Sequence, residues 1–385
     1  MINHISLKYE RYVNILKQEK NREIRLSTIE EFTNLFFNFN SENPKDIQEI
    51  HYFLAQLFLP QLLLTLDDQI TLMRSKVLKL LKFLVSNHIK FKIEEKEISL
   101  IFSAVFNRLD YQNKIFTETI EDLRIETIDF VKIILSSVSF NISPFISEFF
   151  NILGRVSYDA NPEMKEKISE LIIWIFESYI ALHSNKESLL DQFKSSSSSL
   201  IIGISLNTTH QRNKIRKLSI LALTKLLSLN NKAFSNVHVS YRNCSIDNNV
   251  DVRLTTFECL STLIKSFNIT NLKKYEGIII KYFISGLSDE KSNIKSYCYK
   301  EIEVLGEYRK KLEESIENNQ NSGMDVEQED INDEILEKHS NEINYTHSIT
   351  PDEKKILFNT NKSLKLNDLS TNMHIDDINK LIQNK

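Results

Sequence analysis

The chain has 385 residues, 41% of them apolar and 26% charged, and carries a formal net charge of −4. Six Gly and five Pro are few against usages of roughly 7% and 5%, which argues against sandwiches, barrels and doubly wound sheets, all built on frequent tight turns. No run of about 18 uncharged apolar residues is present to span a bilayer, and the first twenty residues lack the apolar centre of a secretory signal.

An aliphatic residue is followed by Arg or Lys seven times: Ile24-Arg25, Met73-Arg74, Leu123-Arg124, Met164-Lys165, Ile215-Arg216, Val252-Arg253 and Ile294-Lys295. In five of the seven, apolar residues recur four, seven and eleven positions beyond the cation, as in Leu78, Leu81 and Val85 or Ile220, Leu223 and Leu227. Those offsets fall on one face of a helix. Successive cations are 49, 50, 41, 51, 37 and 42 residues apart, a mean of 45, which is the period of two-helix HEAT or armadillo units. The expected fold is all-α: an α-solenoid of about seven HEAT-like helix pairs, each with an outer helix, a turn and an inner helix that starts near the cation.

In chain order, the expected outer helices are Asp46 to Leu66, Ile98 to Leu109, Ser143 to Val156, Ser188 to Leu206 and Leu272 to Leu287, each with an apolar stripe of period 3.6. Turn signals separate them from the inner helices: Leu66-Asp67-Asp68, Asn161-Pro162, Asn207-Thr208-Thr209 and Ser288-Asp289-Glu290. Two stretches disturb the pattern. Lys194 to Gly203 contains a serine run that reads as a loop or distorted turn entering an outer helix. Asn230 to Asn249 alternates apolar and polar residues like a strand, but its place between inner helices favours an irregular outer helix.

Residues 312–385 hold 16 Asp/Glu and 7 Lys/Arg, a net of −9, which leaves +5 for residues 1–311. This divides the chain into a repeat body, 1–311, and an acidic, Asn-rich tail, 312–385, expected to be mostly disordered for want of apolar surface. A net of +5 over so long a body is too dilute to predict nucleic-acid binding.

Three cysteines without CxxC spacing, Cys244, Cys259 and Cys298, are expected to be reduced core residues. The nine histidines are scattered without zinc-ligand spacing, and phosphate-loop, dinucleotide and GxSxG motifs are missing. No catalytic residue, metal or cofactor is expected. The densest cationic cluster runs from His210 to Lys217. Its Arg212, Lys214, Arg216 and Lys217 are the candidate partner-binding residues, suited to acidic peptides in a concave groove; the competing expectation is that Arg216 turns inward to bridge neighbouring repeats.

Residues 272–318 carry Tyr275 in an outer helix, the turn Gly286-Leu287-Ser288-Asp289-Glu290, an inner helix entered at Ile294-Lys295, and Gly306 ahead of acidic sequence. This stretch resembles a repeat of the HEAT-repeat dynein axonemal assembly factors. Thr209–Leu227, a polar cation-bearing turn entering an inner helix, resembles the repeat before it. The resemblance implies a non-enzymatic, monomeric, cytoplasmic scaffold that preassembles axonemal dynein arms for cilia, with dynein chains and co-chaperone assembly factors as partners and no role for nucleic acid or membrane. A nuclear-transport adaptor or phosphatase-type scaffold is the alternative use of such a surface.

Overall fold

A computed structural model describes residues 4–321, apart from 41–42, 113–114, 138–139 and 181–185. Of the expected acidic tail, 312–385, the residues from 322 on lie outside the described ones. The described chain is almost wholly helical. The first pair is α1 (His4–Gln18) and α2 (Arg22–Asn38). An outer segment follows: α3 (Pro44–Tyr52), a π-helical stretch (Phe53–Phe58), α4 (Leu59–Leu64) and a 3-10 turn, leading to inner α5 (Thr71–Ser86). After the short α6 (His88–Phe91), α7 (Glu95–Asn107) pairs with α8 (Glu121–Leu135). The next pair is α9 (Ile146–Val156) and α10 (Pro162–Trp174), α10 continuing into a π-helical stretch, Ile175–Tyr179.

Then come α11 (Lys186–Ser196) and α12 (Ser198–Asn207) with inner α13 (Asn213–Leu229), and α14 (Phe234–Ser245) with inner α15 (Val250–Ser266). The last pair is α16 (Ile269–Gly286) and α17 (Ser292–Asn321), so helix continues past residue 311.

The chain forms two compact units. One holds the residues up to Phe267 together with Gly286–Tyr297, and the other holds Asn268–Ser285 and the chain from Cys298. Within the first, α2, α5, α8, α10, α13 and α15 pack in succession as one layer, and α9 packs on α11 and α12 in the other. The core lies between the layers. Ile29, Phe32 and Phe36, Leu78, Leu81 and Val85, and Ile220, Leu223 and Leu227 are all buried, as the four-seven-eleven offsets require. In the second unit Arg309 reaches Glu276 at 3.2 Å.

Local chemistry fixes the helix starts. Asn21, Asn43, Asn161 and Asn249 each accept backbone N–H groups of the following first turn, and Pro44 and Pro162 occupy the position where a missing N–H costs nothing.

Two local differences from the sequence reading have physical causes. The serine run is helical: α11 reaches Ser196, α12 starts at Ser198, and only Ser197 interrupts them. Burial of Leu200, Ile201 and Ile204 outweighs the weak helix propensity of serine. Tyr111–Gln112 and Ile115–Phe116, an antiparallel pair of two-residue strands β1 and β2, were not anticipated. The Asn230–Asn249 stretch is the irregular outer helix, a 3-10 turn leading into α14, whose Phe234, Val237, Tyr241 and Cys244 are buried at helical spacing.

Gly154 of α9 and Gly203 of α12 mark a close approach. A Cβ on Gly203 would stand 2.0 Å from Ser157 Oγ and 2.8 Å from the Gly154 carbonyl oxygen, so no other residue fits without movement.

Candidate functional site: the cation ladder and the inner-helix face

Each inner helix places its cation at the fourth residue, so the side chain lies over the turn just before it. The cation reaches two ways from there. Backward, Arg74 Nη1 donates to the carbonyls of Asp68 and Gln69, at 2.7 and 3.3 Å. Forward, its Nε and Nη2 donate to both carboxylate oxygens of Glu118 in the next repeat, at 2.8 and 2.7 Å. Arg124 repeats this with the carbonyls of Glu118 and Thr119 and the carboxylate of Asp159. Arg216 does so with His210, Gln211 and Asp247, and Arg253 with Asp247, Asn248 and Asp289. Arg25 pairs with Asp68. The guanidinium fork is suited to this double task.

The acids do double duty as well. Asp68, Glu118, Asp159, Asp247 and Asp289 each accept the backbone N–H two residues on, which shapes the turn into the next inner helix. Burial alone would raise the Glu118 carboxyl. The Arg74 hydrogen bonds, the Ile120 N–H and Arg108 outweigh it and hold the group below the ordinary carboxylate value. Asp289 is likewise lowered, chiefly by Arg253.

Sequence reasoning did not single out these acids, although a signal for them exists. Glu19, Asp68, Glu118, Asp159, Asp247 and Asp289 each stand six residues before the cation of their own repeat. At the seventh such position stands His210. Its Nδ1 accepts the Arg212 N–H at 3.1 Å, as the acids do two residues on, but it offers no carboxylate to the preceding cation. That cation is Lys165, which donates instead to Asn207 Oδ1 at 2.8 Å and the Ser157 carbonyl at 3.1 Å. Burial lowers Lys165 below the usual amine value despite Asp159. Burial, then Lys165, Arg212 and Arg216, lower His210.

The four candidate partner residues therefore separate. Arg216 lies in the ladder, turned toward Asp247. Lys214 is exposed and bonds Glu166 of α10 at 2.5 Å. Arg212 is exposed before the first turn of α13, and Lys217 is half-buried. Similar surface pairs join other inner helices: Lys76 to Glu30 at 2.5 Å, Lys167 to Asp129 at 2.9 Å and Lys225 to Glu177 at 3.0 Å.

Among the described residues no His, Cys, Asp and Glu are grouped so as to hold a metal ion, and no helix is long and apolar enough to cross a membrane. All three cysteines are buried.

No curated protein sequence matches the chain. Among solved structures, the chain is similar to a computationally designed armadillo repeat protein for modular peptide recognition, with 13% identity and a TM-score of 0.41, over 64% of this chain and 98% of that one. It is also similar to a designed armadillo repeat protein in complex with the peptide (KR)4, with 13% identity and a TM-score of 0.42, over 64% of this chain and 99% of that one. Importin beta is 12% identical with a TM-score of 0.42, over 83% of this chain and 35% of that one. The family described as dynein axonemal assembly factor 5-like, TPR repeats, matches residues 15–319. Cation steps of 37 to 51 residues exceed the TPR period of about 34 and suit HEAT and armadillo units, whatever the repeats are called. With most of its length matched, the chain belongs to the family of dynein axonemal assembly factor 5-like repeat proteins.

Proposed function

We propose that the protein is a non-enzymatic, monomeric scaffold of the cytoplasm that holds axonemal dynein chains, with co-chaperone assembly factors, while dynein arms are assembled for cilia. The family match over residues 15–319 is the observation that supports this reading. A buried ladder of cations and acids suits a scaffold, since it sets each inner helix against the next and leaves their outer faces to a partner. Arg212, Lys214 and Lys217 are the proposed contacts for acidic partner segments, with Arg216 holding the turn that presents them. The repeat body to about residue 311 carries this role, and the acidic segment after it is a tail outside that body.

Affinity purification from ciliated cells, read by mass spectrometry, tests the proposal. Recovery of axonemal dynein chains is expected, and loss of the gene should leave cilia short of dynein arms. Recovery of importins or phosphatase subunits in their place, with arms intact after gene loss, would overturn it.

A further inference from the structure

The stretch Gln69–Ile93 contains six Lys/Arg and not one Asp or Glu. Two of the six are committed: Arg74 to Glu118 in the ladder and Lys76 to Glu30 across α2 and α5. Among the described residues, Lys79, Lys82, Lys90 and Lys92 form no ion pair. Lys79, Lys90 and Lys92 are exposed and Lys82 is half-buried.

Apolar surface lies among them. Phe37, in the last turn of α2, is 55% exposed and stacks on Phe83 of α5 with ring centroids 3.9 Å apart and an interplanar angle of 14°. Phe83 in turn stands 6.1 Å from the buried ring of Phe91. Lys79 precedes Phe83 by four residues and so shares its face of α5. Ile89, in α6, is 82% exposed, and Lys90 Nζ lies 5.6 Å from the centre of the Phe91 ring.

The backbone adds an independent observation. Lys92 has φ 52 and ψ 39 and is the one positive-φ residue other than glycine among the described residues. Gly or Asn would occupy this helix-ending position at less cost, so the lysine here carries local backbone strain. The nearby acids form no ion pair with these four lysines. Glu30 is paired, Glu94 and Glu97 close a capping box on the first turn of α7, and Glu31 and Glu95 are exposed.

We infer that the surface formed by Phe37, Phe83 and Ile89 with Lys79, Lys82, Lys90 and Lys92 is a docking site for an acidic protein segment bearing an aromatic or large aliphatic anchor. The stacked rings and Ile89 take the anchor out of water, and the lysines surround it with positive charge matched to flanking carboxylates. The site does not depend on which protein supplies the segment, so it stands or falls apart from the dynein reading.

Full-length protein is titrated with a short labelled peptide of alternating Glu and Phe, a poly-Glu peptide and a Lys/Phe peptide of equal length. Vesicles of phosphatidylcholine with phosphatidylserine and a single-stranded RNA homopolymer serve as further probes. The Glu/Phe peptide is expected to bind tightest and to weaken with salt. Lys79→Ala with Lys82→Ala, or Phe37→Ser, should weaken it about tenfold. Lys92→Gly is the separating variant: it relieves the left-handed backbone, so melting temperature should hold or rise while binding falls. Equal affinity for poly-Glu, a preference for the Lys/Phe peptide, vesicles or RNA, or unchanged binding in all three variants would each overturn the proposal.

Discussion

Arg74→Ala removes one side of a buried rung, and its cost can be worked from the contacts. Arg74 is 7% exposed and the Glu118 side chain 4% exposed, so solvent screening offers little relief. The substitution takes the two guanidinium bonds from the Glu118 carboxylate, leaving it Arg108 and the Ile120 N–H, and strands two backbone carbonyls that Arg74 had served. Breaking a buried pair from one side costs about 3–5 kcal/mol. Lys76→Ala, on the exposed pair with Glu30, should cost roughly 0–1 kcal/mol and is the control.

The penalty should depend on pH with a definite sign. In the native protein the Glu118 carboxyl is held low, so its contribution is present at neutral pH and is lost as pH falls through its folded value. Without Arg74, only the Ile120 N–H and Arg108 oppose burial, so the carboxyl holds its proton at higher pH than in the native protein. The deficit of the variant should therefore be largest near neutrality and narrow toward acid pH, where Glu118 takes up a proton. Urea unfolding followed by circular dichroism measures the loss, and hydrogen exchange of α5 and α8 places it. An Arg74→Ala deficit no larger than that of Lys76→Ala, or one that does not vary with pH, would refute the ladder as the joint between these repeats.

The His210 position carries a second pH effect. Its folded value is lowered by burial and by Lys165, Arg212 and Arg216, so stability should be full above the ordinary histidine value of about 6.5 and decline as pH falls toward the folded value. His210→Asp should remove that decline in thermal melts taken across the range. Gly203→Ala should destabilise by about 1–3 kcal/mol through overpacking, whereas Gly277→Ala, whose Cβ would meet nothing within 4 Å, should stabilise by roughly 0.5–1 kcal/mol; thermal denaturation of the two separates contact from propensity. The Cys244 and Cys259 thiols are pushed up to about 12 by burial, so neither should react with a thiol reagent at neutral pH until the protein is unfolded.

The inner helices were legible because a buried stripe needs apolar residues at fixed offsets, and Ile220, Leu223 and Leu227 show it without interruption. The ladder cations were visible for the same reason, but their acids were not. Asp68 or Asp289 in a polar turn reads equally well as an ordinary helix cap, and only the partner across the repeat distinguishes the roles. The cationic cluster misled in another way. Arg212, Lys214, Arg216 and Lys217 are adjacent in sequence, yet a helix turns them to different sides, so that Arg216 reaches Asp247 while Lys214 reaches Glu166. The serine run was misread because propensity is local, whereas the burial that overrides it comes from tertiary packing. β1 and β2 are too short for alternation to register.

The ladder has a polarity with a consequence for how such a chain can grow. Every standard repeat offers an acid to its predecessor and a cation to its successor, so one inserted or deleted in full leaves the neighbours with matching ends. Duplication and loss are then open to the family without redesign of the joints. The fourth and fifth repeats depart together: Lys165 replaces the arginine, His210 the acid, and Asn207 accepts the displaced bond. Moving the fifth repeat elsewhere would set a neighbour's arginine against a histidine. These two units are tied to each other as the rest are not, and their order in the chain is fixed by chemistry that neither carries alone.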